Sequence, residues 1–192
     1  MLLKDVATVH TGLVLSRRMS IDEGSSGQRF KTLTLRSVDE EEGLLEEELD
    51  TNLFSHIPQE HLTREGDVVV RLSSPNTAAY ISSAFEGLVI PSQFCVVRVN
   101  SDELLPEYLA WYLGSAYVKR QIHRDLYGST VSTIRKGTLE SIEIDYVSIE
   151  EQERILRIDE LQRRERGLLK KLAREKETLY KGMIHKIISD GR

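Results

Sequence analysis

The sequence holds one cysteine, four prolines and one tryptophan in 192 residues, and only 6% of it is aromatic. A single cysteine excludes an internal disulfide. Cys95 lies in the apolar run Phe94-Cys95-Val96-Val97, where it reads as a small buried hydrophobe and not as a nucleophile. No apolar run approaches the roughly 20 residues that cross a bilayer. Met1-Leu2-Leu3-Lys4-Asp5 lacks a signal-peptide core, so a cytoplasmic protein is expected. The sequence has no Gly-x-x-x-x-Gly-Lys loop, Gly-x-Gly-x-x-Gly fingerprint, Gly-x-Ser-x-Gly elbow or His-Glu-x-x-His pair, which leaves nucleotide, cofactor and hydrolase chemistry without support. His56 and His61 flank Pro58 with no cysteine or third ligand at usable spacing, so they read as surface-loop histidines and no metal is expected. Glu143 and Asp145 share one face of a predicted strand, but a solvated strand face looks the same.

No proline follows Pro106, and the tail from Ser148 to about Ser189 is the most ordered pattern in the chain. Ser148 and Glu151 make a capping box, in which the serine oxygen takes an amide of the first turn and the glutamate reaches back to the cap. A helix of roughly 40 residues at 1.5 Å per residue is about 60 Å long, far beyond the diameter of a small domain. Ile155, Ile158, Leu161, Leu168, Leu172, Leu179, Met183 and Ile187 recur at helical steps and form one stripe, interrupted by Glu165, Glu175 and Lys176. Acid-before-base pairs four apart, such as Glu153 with Arg157 and Glu177 with Lys181, support the outer faces. Such a helix either folds back on its own domain or pairs with a helix of another chain. Its length favours pairing, and the polar interruptions favour an antiparallel coiled coil over a parallel zipper.

The net charge of −5 does not suit indiscriminate coating of nucleic acid. Its distribution is uneven: −6 over residues 1–60, −2 over 61–147 and +3 over 148–192. The acid gathers in Asp39-Glu40-Glu41-Glu42 and Glu46-Glu47-Glu48, a solvated loop or edge hairpin. Lys119, Arg120, Arg124, Arg135 and Lys136 face only Asp125 within residues 117–136, a local excess of +4.

The rest reads as an α+β domain over residues 1–147, a mixed, mostly antiparallel sheet with packed helices, and residues 148–192 as the long helix. A short amphipathic element ends at Gly12. Strands are predicted at 30–36, 66–72, 80–83, 88–90, 94–99 and 141–146, with Ser73-Ser74-Pro75-Asn76-Thr77 as a turn. Pro106 opens one helix carrying Lys119, Arg120 and Arg124 at its end. Tyr127 to Gly137 reads as a loop. Its glycine and hydroxyl side chains let backbone approach a phosphate chain, with Arg135 and Lys136 supplying charge. A plain connecting loop with a solvated basic end fits equally.

Several blocks in order carry a resemblance: Leu3-x-Asp5-Val6-Ala7 ending at Gly12, Glu65-Gly66-Asp67-Val68-Val69-Val70, Tyr108-Leu109-x-x-Tyr112-Leu113, Gly128-Ser129-Thr130, Ile142-x-Ile144, and Ser148-Ile149-Glu150-Glu151-Gln152-Glu153-Arg154-Ile155. Together they resemble the target-recognition domain and spacer helix of Type I restriction–modification specificity (S) subunits, with Ser148 where that family often has proline. With one recognition domain and one helix, the chain is similar to a half-size specificity subunit. The resemblance implies a non-catalytic DNA-recognition subunit that directs a separate methyltransferase, and a restriction subunit, to a bipartite gapped target as a homodimer. S-adenosylmethionine then belongs to the partner modification subunit and no cofactor to this chain, which also lacks the Asn/Asp-Pro-Pro-Tyr motif of such methyltransferases. Residue type and loop position pick out the candidate DNA contacts: Lys31, Arg36, Arg71, Ser73, Ser74, Asn76, Gln93, Lys119, Arg120, Arg124, Ser129, Thr130, Arg135 and Lys136. An alternative is a truncated specificity domain that binds only proteins, which the acidic Asp39 to Glu48 segment favours.

Overall fold

The computed structural model describes residues 1–15, 27–125, 133–145 and 147–190. In chain order the elements are α1 (Leu3–Val6), β1 (Ala7–Thr11), β2 (Gln28–Thr32), β3 (Val38–Asp39), β4 (Gly43–Leu44), β5 (Asp50–Phe54), β6 (Asp67–Arg71), β7 (Ala78–Tyr80), β8 (Phe94–Val99), α2 (Pro106–Gly114), α3 (Ala116–Asp125), α4 (Lys136–Glu140) and α5 (Ile149–Asp190). The class is α+β, with antiparallel sheets and a long C-terminal helix.

β-Branched side chains suit a pleated, buried surface, and the valines of β6 and β8 make the centre of the fold. The main sheet has the order β1-β8-β6-β7, with Val69 opposite Val96 and Val9 opposite Val97. Asp67 to Val70 are all buried, so both faces of β6 are covered. Val69 packs with Leu33, Ile81, Ile90, Phe94 and Val96, while α2 lies against β6 and β7. A second cluster forms around Phe54, Ile57 and Val89, beneath the β2–β5 pair. Buried Asp67 is held by Arg98, whose Nε donates to one carboxylate oxygen at 2.9 Å and Nη2 to the other at 3.2 Å. Bidentate guanidinium geometry makes that carboxylate tolerable inside. Gly12 ends β1 so close to its neighbour that an added Cβ would lie 2.0 Å from the Pro91 carbonyl oxygen.

Several expectations change. The predicted strand at 88–90 is reduced to isolated bridges from Val89 to Thr32 and Leu62. The N-terminal amphipathic element is one helical turn followed by a strand, because Val6 closes α1 and Ala7 enters the sheet. The helix opened by Pro106 is two helices. Ser115 ends α2 and its hydroxyl accepts the Val118 amide at 3.3 Å, so the same residue starts α3. Lys136 and Gly137 are not loop but the first residues of α4. The predicted strand at 141–146 is a single bridge between Leu2 and Glu143. Ile142 and Ile144 do point inward, but side chains meet much of the backbone there: the Tyr112 hydroxyl accepts the Asp145 amide at 3.1 Å, and the Tyr108 hydroxyl donates to the Asp145 carbonyl at 3.2 Å.

The chain forms two compact units, Met1–Glu153 and Arg154–Arg192, a division later than the 147/148 boundary expected. The first turn of α5 belongs to the first unit through Gln152, which is fully buried. Its Oε1 accepts the Leu105 amide at 2.9 Å, and its Nε2 donates to the carbonyls of Glu103 at 2.7 Å and Val147 at 2.8 Å. The capping box forms, with the Ser148 amide donating to Glu151 at 3.3 Å and the Glu151 amide to Ser148 Oγ at 3.4 Å.

Candidate functional site

Two stretches far apart in sequence meet at the end of β6. Asn76 takes the left-handed conformation with φ 57°, which asparagine tolerates, and closes a turn in which its amide donates to the Ser73 carbonyl at 2.9 Å. Ser73 then bridges Thr133, the Ile134 amide donates to the Leu72 carbonyl at 2.9 Å, and the Leu72 amide donates to the Gln93 carbonyl at 2.9 Å. The result gathers Ser73, Ser74 and Gln93 with Arg135, one residue beyond buried Ile134. Arg71 joins them, its Nε donating to Ser73 Oγ at 3.0 Å and Nη1 to the Leu35 carbonyl at 3.2 Å. Ser74, Gln93, Arg135 and Lys136 are exposed, so their polar groups are open to a ligand. Lys136 also stands 3.5 Å from Glu140, one turn along α4.

Asn76 does not join that exposed set. Its side chain is buried and its amide nitrogen donates to the Leu72 carbonyl at 2.9 Å, so it builds the turn and offers nothing outward. Residue type pointed to a base contact. The Pro75-Asn76 pair in a tight turn was the signal for the structural role.

A second basic face lies on α3. Tyr117, Arg120, His123 and Arg124 line a cleft of about 810 Å³. Tyr117 and His123 were missed in the sequence, although the three- and four-residue steps from Tyr117 to Arg120 and Arg124 place them on one helical face. Among the described residues no ion pair engages Arg120, Arg124 or Arg135. Interleaved aromatic and guanidinium groups suit an anionic, stacking partner, through charge and planar contact.

Three other predicted contacts are already occupied. Lys31 meets Glu46 at 2.7 Å, Arg36 meets Glu48 at 3.1 Å and Lys119 meets Glu40, so the acidic segment around β3 and β4 pairs with all three cations. The Lys31 ammonium hydrogen-bonds the Glu46 carboxyl and holds it below the usual range. Exposed pairs of this kind are screened by solvent, contribute little to stability and are exchangeable for a phosphate. No described contact brings Lys31 to the Ser73–Arg135 cluster. Ser129 and Thr130 lie outside the described residues.

Along α5, Ile155 is half-buried, while Ile158, Leu161, Leu168, Leu172, Leu179, Met183 and Ile187 are exposed, from 48% at Leu172 to 71% at Ile187. Leu169, Tyr180, Ile184 and Ile188, left out of the predicted stripe, are exposed beside them. No described helix is long and apolar enough to cross a membrane.

Over residues 3–172 the sequence matches the family model described as Type I restriction modification DNA specificity domain. A search of curated proteins gives no match. Among solved structures, the HsdS subunit from Thermoanaerobacter tengcongensis is similar with a TM-score of 0.65 and 21% identity, over 88% of this chain and 42% of that one. A chain from a study of complex assembly and conformational transition of the type I R-M system gives 0.65 and 19%, over 88% and 43%. The Type-I restriction-modification system S subunit from M. genitalium gives 0.52 and 12%, over 86% and 39%. The chain spans less than half the length of each of these structures, and the likeness to them is one of fold.

Proposed function

Because this chain belongs to the Type I restriction modification DNA specificity domain family, we propose that its first unit reads one half of a bipartite, gapped DNA target for a Type I restriction–modification enzyme. In this reading the chain is not itself catalytic and acts in the cytoplasm. It directs a separate methyltransferase subunit, which would hold the S-adenosylmethionine, and a restriction subunit. The helix α5 pairs with a second specificity helix, in the simplest case that of an identical chain, and so separates the two half-sites.

The observation that carries the reading is the junction of the Ser73 turn with Thr133 and Arg135. A guanidinium reaches a phosphate or the O6 and N7 of guanine, and neighbouring hydroxyl and amide groups such as Ser74 and Gln93 can address base edges in the same groove. The test is DNA binding by the chain together with its modification subunit. Arg135→Ala combined with Lys136→Ala is expected to weaken binding about tenfold or more and to flatten its salt dependence, since each lost phosphate contact removes about 0.9 from the slope. Unchanged binding and slope would discard the assignment. Sequencing of methylated sites in cells with and without the protein tests the function itself: a gapped methylated motif should vanish with the protein.

The three ion pairs of the acidic segment favour a second reading, a specificity-like domain that binds only protein partners. Absence of any DNA affinity with the modification subunit present would select it.

A further inference from the structure

The exposed stripe of α5 has an eleven-residue repeat. Ile158, Leu169 and Tyr180 form one series, and Leu161, Leu172 and Met183 another. The charges that interrupt the stripe fall in step as well, Glu165 and Lys176 standing eleven apart with Ile187 next in line. Eleven residues in three turns is about 3.67 per turn, close to the straight α-helix and on the opposite side of it from the heptad's 3.5. A partner packing on this stripe therefore runs nearly straight or with a slight right-handed twist, not as a left-handed zipper.

We propose that the stripe is covered by α5 of a second copy, antiparallel, with the two-fold axis passing between Lys170 and Lys171. This rests on the homodimer reading above and adds the register. In a parallel, in-register pair Glu165 meets its own copy inside the seam, and so does Lys176, two repulsive contacts in a desolvated place. In an antiparallel pair a residue faces the one equally far beyond the axis, and each flank meets the same flank. The axis that sets Glu165 against Lys176 of the second copy also sets Leu169 against Leu172 and Ile158 against Met183. On the two flanks, within two residues of the same register, Arg166 meets Glu177 and Arg164 meets Glu175. One chain thus carries both halves of a self-complementary charge pattern about its own centre, which selects a second copy over an unrelated helix. Lys170 and Lys171 each meet their own copy, one on each flank, but at the outer edge, where solvent screens them. At 1.5 Å per residue the two Ile149 positions stand about 65 Å apart along the pair.

Sedimentation of the full chain tests this. Glu165→Lys alone, or Lys176→Glu alone, is expected to weaken the dimer at least tenfold, and the two together to restore it to within about threefold. Within one helix these positions are too far apart to rescue each other. A wild-type chain that stays monomeric at high concentration overturns the dimer reading and the register with it. A wild-type dimer whose double variant is no better than the single ones overturns the register alone. Disulfide trapping gives an answer independent of the charge variants. Chains carrying Ile158→Cys mixed with chains carrying Met183→Cys should give the mixed disulfide, and trapping of Ile158→Cys chains with each other instead would make the pair parallel.

Discussion

At the scale of single residues, the first unit depends on a few polar groups placed where apolar ones would be expected. Asp67 is the clearest, a buried carboxylate at the entry of β6 that accepts from Arg98 twice and from the Arg64 amide at 3.0 Å. Asp67→Ala leaves the guanidinium with the Leu62 carbonyl but no counter-charge, and that amide without its acceptor, and the expected loss is about 3–5 kcal/mol of unfolding free energy in urea titrations. Cys95 gives a prediction in pH. Burial pushes its thiol from the ordinary 9.0 up to about 11. A raised folded-state pKa stabilises the protein fully below pH 9, and that contribution disappears as pH climbs toward about 11. Burial also raises Tyr108 and Tyr112, which extend the same loss to higher pH. Urea midpoints should therefore fall from pH 9 upward, and Cys95→Val should flatten the first part of that fall while leaving the later one. A midpoint independent of pH across that window would contradict the burial of all three. Gln152 belongs with these residues, since its amide satisfies three backbone groups while fully buried. Its neighbours are charged, so nothing local marks it as an interior residue.

Among the elements, those governed by local rules were legible and those governed by pairing were not. The Val68–Val70 run announces a central strand, and Ser148 with Glu151 announces the start of α5, because β-branching and capping act within a few residues. The break at Ser115 was hidden, since the same periodicity continues across it and the side-chain signal is a single bond, from the Val118 amide to the Ser115 hydroxyl. The 141–145 segment alternates as a strand should but finds only Leu2 as partner, so its pattern was right and its hydrogen bonding was not. For the candidate site, the sequence offered residue types without proximity. The Ser73–Thr133 bridge spans sixty residues of chain, and no spacing rule could reveal it. The acidic segment around β3 and β4 was legible as charge, but its partners were not. Its ion pairs make an element-scale prediction. Glu40→Gln, Glu46→Gln and Glu48→Gln together free Lys119, Arg36 and Lys31. If these cations line the DNA path, affinity at low salt rises several-fold and the salt slope steepens by about 0.9 for each new phosphate contact. If affinity and slope hold still, the three cations serve only to fold the acidic segment.

For the whole molecule, the division at Glu153 separates two kinds of stability. The first unit buries its own core, and its stability is a property of one chain. The second, Arg154–Arg192, keeps its large apolar side chains from Ile158 onward exposed, so along that stretch little within it offsets the cost of ordering the helix except local pairs such as Glu177 with Lys181 at 2.7 Å. Such pairs supply only a few tenths of a kcal/mol each. If α5 pairs with a second copy as proposed, the stability of the second unit comes from that association and depends on concentration. The two units carry separate probes. Trp111, the one tryptophan, sits in α2 with Tyr108 at a ring separation of 5.5 Å and reports on the first unit, whereas α5 dominates the helical signal in the far ultraviolet. Heating at two concentrations a hundredfold apart should leave the tryptophan transition in place and move the helical one upward with concentration. Leu168→Asp combined with Leu172→Asp should remove that dependence and give monomers in sedimentation, because two carboxylates would then enter the seam from each copy, while the tryptophan transition stays where it was. A helical transition that ignores concentration in the unaltered chain would mean that α5 is held by its own chain, and a spacer built from two copies would have to be abandoned.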